Sequence, residues 1–152
     1  MDAAGRIFIG ELVVNQDVAD GVVDIFRQLY RAGYPIEKMH LIDDYDASDD
    51  ASTEDDNTSA FNFRVVAGTN SLSNHAMGHA IDINPFYNPS AIPSENYVSP
   101  ADAYQYADRS VITPYTIQQG DLCYRLFEEH GWVWGGEIWE NARDYQHFEY
   151  ER

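Results

Sequence analysis

Two short segments, far apart in the chain, are each dense in side chains that bind metals, and any fold this sequence adopts has to account for both. The first reads Ser73-Asn-His75-Ala-Met-Gly78-His-Ala80-Ile-Asp82 and the second Asp144-Tyr-Gln-His147-Phe-Glu149. If the fold brings them together, two imidazoles and one carboxylate can take three corners of a tetrahedron. The fourth is then left for water, as a hydrolytic zinc site requires. His75 and Asp82 converge if a turn over Ala76 to Gly78 returns the chain into a strand. Taken singly, a histidine is more often a structural or surface residue than a ligand. What suits a metal shell with its support is the grouping: two histidines and two aspartates set among Gly, Ser, Asn and aromatic residues.

Asp144 stands three positions before His147, so on a turn or helix end its carboxylate can sit beside the ligand without binding the metal. That is the place for a general base. The structural alternative is that Asp144 only orients His147 or caps a turn. Arg64 is the one cation close in sequence to the first segment, and a guanidinium suits a substrate carboxylate or a developing oxyanion. On bare sequence the competing role for Arg64, a salt bridge to one of the many acids, is favoured.

Those acids dominate the composition. Twenty-six Asp and Glu against nine Lys and Arg give a net charge of −17, and Lys38 is the only lysine. Phosphate backbones need clustered cations, so nucleic acid is excluded as a partner. The same charge is expected to keep the protein soluble and monomeric. No apolar run approaches membrane-spanning length, and no basic start followed by an apolar stretch marks a signal peptide. The start at Met1-Asp2 leaves open a trimmed form whose export signal was removed. A lone cysteine, Cys123, excludes both a disulfide framework and a cysteine-based zinc site. With 152 residues, 44% of them hydrophobic, the chain is predicted to form a single domain, 1–152, around its own core.

Along the chain, Arg6 to Val14 reads as a strand or extended lead-in, and Asn15-Gln16-Asp17 as a helix N-cap. Val18, Val22, Ile25, Phe26, Leu29 and Tyr30 recur at helical spacing, with Gly33 as C-cap and Pro35 as stop. Ile36 to Ile42 reads as a strand and the acidic stretch Asp43 to Asp56 as a surface loop. Asp44, Asp46 and Ser48 sit at the odd positions of a calcium loop, but Asp49 replaces its glycine and Asp55 its closing Glu, which argues against calcium. Strands are predicted at Phe61 to Ala67, Ala80 to Ile83, Trp132 to Trp134 and His147 to Tyr150, and a second helix at Gln119 to His130. Tyr87 to Tyr115, rich in Tyr and Pro, reads as a long surface excursion. Two helices and several strands in mixed order predict an α+β domain with a mainly antiparallel sheet and flanking helices.

Ser73-x-His75-x-x-Gly78-x-Ala80-x-Asp82 resembles the first zinc motif of the D-alanyl-D-alanine carboxypeptidase family, the LAS metallopeptidases that include VanX-type and VanY-type enzymes. Asp144-x-x-His147-Phe-Glu149 resembles its second motif. The likeness extends to Tyr34 to Met39, Asn57 to Arg64, Ile81 to Pro85 and Gly131 to Gly136. By that resemblance His75, Asp82 and His147 are zinc ligands and Asp144 is the base. Arg64 holds the substrate or its tetrahedral intermediate, and Ser73 and Trp134 line the substrate cleft, a core role for Trp134 being the alternative. His79, an extra imidazole, fits an ordinary strand position better than a substrate contact. Many relatives carry Glu where Asp144 stands and Trp where Phe148 stands, a difference that reads as subfamily identity. The implied fold is hedgehog/DD-peptidase-like.

The resemblance implies zinc-dependent hydrolysis of peptidoglycan stem peptides outside the cytoplasm, most simply removal of the terminal D-alanine. The alternatives are an endopeptidase cutting between L-alanine and D-glutamate, as in endolysin-like members, and a non-catalytic zinc-containing binding domain like the hedgehog-type relatives. Asp144 speaks against the last.

Overall fold

The computed structural model describes residues 1–66 and 68–150. Its longest helix, α1 (Ala19–Ala32), buries Val22, Ile25 and Leu29 along one stripe, as the sequence spacing predicts, and ends at Gly33. The predicted cap residues form a turn instead, and the helix starts two residues later with no side-chain cap. A short α2 (Asp49–Glu54) and a single turn, α3 (Tyr104–Ala107), follow in sequence. The last helix, α4 (Leu122–Glu129), is capped by the Asp121 carboxylate, which accepts from Tyr124 N–H, and buries Cys123, Leu126 and Phe127.

The strands form two three-stranded antiparallel sheets. In the first, β6 (His147–Tyr150) lies between β1 (Ala80–Asp82) and β4 (Trp132–Trp134). Side chains alternate across a strand, so the four residues of β6 divide between two faces. Phe148 and Tyr150 turn toward the core opposite Trp134 and Trp132, while His147 and Glu149 point the other way. Phe148 stacks on Phe127 of α4, ring centroids 4.1 Å apart, and α1 closes the same cluster through Val22, Ile25 and Leu29. The core thus fixes the strand that presents the second motif.

In the second sheet, β2 (Ser90–Ile92) lies between β3 (Tyr97–Ser99) and β5 (Arg143–Asp144). The excursion predicted over Tyr87 to Tyr115 therefore holds a hairpin and α3. Arg109 ties it down from within. Its guanidinium donates to the Tyr87 carbonyl and the Asn88 side chain at 3.1 Å each and to the Ile117 carbonyl, and it lies over the Tyr145 ring at 4.4 Å.

The α+β class and antiparallel pairing agree with the sequence reading, but the sheet is two small ones. Of three segments read as strand, the first is the extended lead-in that was its alternative, and the other two are extended chain without a ladder. Residues 6–14 meet neighbours through single hydrogen bonds such as Glu11 N–H to the Met39 carbonyl and Phe61 N–H to the Val13 carbonyl. Residues 36–42 make one bridge, Lys38 to Asn57, and residues 61–66 one, Val65 to Leu72; the predicted last residue, Ala67, lies outside the described residues. The acidic stretch is not all loop: Ser48 caps α2 by accepting from Ala51 N–H, and Asp49 and Asp50 occupy the first turn, where negative charge suits the helix dipole.

Candidate metal centre

The first motif is delivered by a tight turn. Ser73 is buried and its hydroxyl accepts from His75 N–H, capping a 3-10 turn over Asn74–Met77 that ends at Gly78. Gly78 has φ +69°, and a Cβ there would lie 2.5 Å from the Asn15 nitrogen, so only glycine fits. The chain then enters β1, where Asp82 stands directly opposite His147 of β6.

This register brings the three residues together. His75 Nε2 lies 3.2 Å from Asp82 Oδ2 and 3.3 Å from His147 Nδ1, and His147 Nδ1 lies 3.0 Å from Asp82 Oδ1. All three side chains are buried, with exposures of 2%, 4% and 7% for His75, Asp82 and His147. Among the described residues this is the group of His, Cys, Asp and Glu side chains whose ligand atoms come within 4.8 Å of one another.

The outward nitrogens have partners of their own. His75 Nδ1 donates to the Ala60 carbonyl at 2.6 Å, which leaves the Nε2 lone pair facing the cluster. His147 Nε2 faces Glu149 Oε2 at 3.3 Å, with Nδ1 turned inward. Two imidazole nitrogens and a carboxylate thus converge in a buried pocket that calls for positive charge. Burial opposes charge on His147, yet the Asp82 and Glu149 carboxylates push its imidazole up to about 10. Burial would raise Asp82, but the two imidazoles outweigh it and hold the carboxyl well below the usual range. A divalent cation answers the same demand, and the nitrogen and oxygen donors suit zinc. The residues fit the ion.

Asp144 comes from the other sheet. It ends β5 and is partly buried, and its backbone N–H donates to the Gly135 carbonyl at 3.0 Å while Gly135 N–H donates to the His147 carbonyl at 2.7 Å. Gly135 holds the two backbones so close that a Cβ on it would meet the Asp144 carbonyl oxygen at 2.6 Å. Burial pushes the Asp144 carboxyl up to about 6, His147 drawing it down and Asp82 adding to the rise. Its Oδ1 accepts from Gln146 Nε2 at 3.0 Å.

The remaining predicted residues lie elsewhere. Arg64 is paired with Asp49 of α2 at 3.0 Å, the salt bridge that bare sequence favours, though its Nε is buried without a hydrogen-bond partner. Ser73 acts as the cap just described. Trp134 is buried on the core face of β4, away from His147, and donates from Nε1 to the Tyr145 carbonyl at 2.8 Å. Its surroundings are those of the core alternative. His79 is buried and pairs with Asp17 at 2.8 Å. Three further contributors carry no assigned role in the sequence motifs. Residues 59 and 60 run beside the cluster, Ser59 bridging Asp82 by backbone and Ala60 accepting from His75. Trp139, 37% exposed, sets its ring 5.7 Å from that of His147. Backbone acceptors leave no residue-type signal, but the Gly135-Gly136 pair ahead of Trp139 marks a close approach.

A family model described as D-alanyl-D-alanine carboxypeptidase matches residues 67–150, just over half of the chain. The matched stretch contains His75, Asp82, Asp144 and His147 and begins after Arg64. No curated protein and no solved structure matched.

Proposed function

Since the chain belongs to the D-alanyl-D-alanine carboxypeptidase family of peptidases, we propose that it is a zinc-dependent, single-domain hydrolase of peptidoglycan stem peptides that removes the terminal D-alanine. The observation that carries this reading is the convergence of His75 Nε2, Asp82 and His147 Nδ1 from two distant segments, with the Asp144 backbone tied to that of His147 through Gly135. In this scheme those three residues hold the ion. When bound, zinc would polarise the scissile carbonyl and make water acidic enough to attack near neutrality. Asp144 accepts the proton of the attacking water and passes it to the leaving amine, work for which a carboxyl pushed up to about 6 is well matched. Arg64, with Nε–H to spare, opposes the substrate's negative charge, and Asp49 keeps the guanidinium in place. A cell-wall substrate puts this work outside the cytoplasm. No helix among the described residues is long and apolar enough to cross a membrane.

The test is mass spectrometry of the products when the zinc-loaded protein meets a disaccharide pentapeptide stem. Loss of one alanine is expected, and Asp144→Ala should cut the rate roughly 10²- to 10⁴-fold with zinc retained. Cleavage between L-alanine and D-glutamate would instead make the protein an endopeptidase. If no product forms and Asp144→Ala behaves as the unaltered chain does, the peptidase reading fails and a zinc-containing binding domain replaces it.

A further inference from the structure

We propose that Glu149, clasped by Asn74, is a positioning residue that fixes the ring orientation and tautomer in which His147 presents Nδ1 to the metal. This rests on the zinc reading above. The strand alternation that puts His147 on the cluster face of β6 puts Glu149 on the same face, two residues on. Opposite Glu149 in β1 stands Ala80, whose methyl leaves room for the longer side chain to fold back toward His147. Glu149 Oε2 then lies 3.3 Å from His147 Nε2.

A carboxylate only accepts, so it holds the proton on Nε2 and leaves the Nδ1 lone pair for a cation. A glutamate beside a flexible surface strand would hold that position poorly. Here the same Oε2 accepts from Asn74 Nδ2 at 2.8 Å. Asn74 belongs to the turn that carries His75, so one Asn–Glu pair joins the two ligand-bearing segments outside the cluster. His75 is served by a backbone acceptor at Ala60, His147 by a side chain, and each imidazole has its outward nitrogen assigned. Glu149 is not itself a further ligand, because the cluster of close ligand atoms comprises His75, Asp82 and His147. Outer partners of this kind set metal affinity by roughly 10- to 100-fold.

The experiment is zinc affinity of the full chain, measured by competition with a chromogenic chelator, for the unaltered protein, Glu149→Ala, Glu149→Gln and Asn74→Ala. Nitrogen NMR of the zinc-loaded chain reports the His147 tautomer. Glu149→Ala should bind zinc 10- to 100-fold more weakly. Glu149→Gln, which keeps an acceptor, should stay within several-fold of the unaltered chain, and Asn74→Ala should fall between. Equal affinity across the series, with the unaltered chain binding zinc, overturns the positioning role and leaves the zinc site standing. If Glu149→Ala is unfolded without metal, Asn74→Ala decides in its place. Failure of the unaltered chain to bind zinc removes the metal centre itself and this inference with it.

Discussion

The two sheets contribute to one site but are held by different forces. The sheet of β1, β6 and β4 carries Asp82 and His147 and rests on apolar packing: Phe148 against Phe127, with Trp132 edge-on to Phe127 at 5.6 Å. The sheet of β3, β2 and β5 carries Asp144 and is anchored by polar contacts, those of Arg109 and the Tyr145 N–H donated to the Pro89 carbonyl. Non-directional burial can hold ligands rigidly through many weak contacts. A hydrogen-bonded knot places a single group with fewer contacts and loses more when one is removed. The metal holding and proton transfer proposed above therefore draw on separate parts of the molecule.

The sharpest way to break that division is Phe127→Ala. It should cost about 3–5 kcal/mol in urea unfolding and weaken zinc binding in step, because it removes the ring on which β6 rests. A loss under about 1 kcal/mol would mean that the apolar core does not support the ligand sheet. Next in size, Arg109→Met should lower stability by about 2–3 kcal/mol by stranding the Tyr87 and Ile117 carbonyls, and should lower kcat while zinc affinity stays unchanged. A parallel fall in zinc affinity would show that the two sheets are not independent.

The smallest effect concerns Asp56, just past α2, which holds the chain where it leaves β1. Its Oδ1 accepts from Phe86 N–H at 2.8 Å, its Oδ2 is buried without a partner, and burial pushes the carboxyl up to about 7, helped by Glu37 and opposed by the Phe86 N–H. With its folded value raised, the native state binds more protons than the unfolded chain between about 4 and about 7. Stability from this group is present at low pH and drains away as pH rises through that window. Asp56→Asn, which stays neutral, should gain about 1–2 kcal/mol on the unaltered protein between pH 5 and pH 6.5, read as a gap in Tm that widens with pH. A gap of constant size would rule out the titration.

How far the sequence foretold this depended on the range of each signal. The α1 stripe from Val22 to Leu29 and the α4 stripe of Cys123, Leu126 and Phe127 repeat at helical spacing, so local periodicity sufficed. His75, Asp82 and His147 were legible because chemistry narrows which residue types can share a site. Strands were harder, since a strand is defined by its partner. Residues 36–42 alternate as a strand should, yet among the described residues they find only one bridge, and the two-residue β5 has too little pattern to see. The helix α2 has no apolar stripe to betray it, although Ser48 followed by Asp49 and Asp50 is a start signal. Asn74 and Glu149 lie within the two motifs, but their contact spans 75 positions and emerges only once β1 and β6 pair.

That pairing has a consequence for how the chain tolerates insertion and deletion. Because β6 alternates His147 and Glu149 with Phe148 and Tyr150, sliding it by one residue against β1 would exchange the faces. The imidazole would be driven among the aromatic rings and a phenyl ring would face the carboxylate of Asp82. No half-shifted form keeps either a sound interior or the His75, Asp82 and His147 cluster, so the length of the connection through Tyr145 and Gln146 is constrained by two demands at once. Natural variation in a lineage of such chains should therefore gather in the excursion between β1 and α4 and spare that connection, where a single added or missing residue turns the protein inside out.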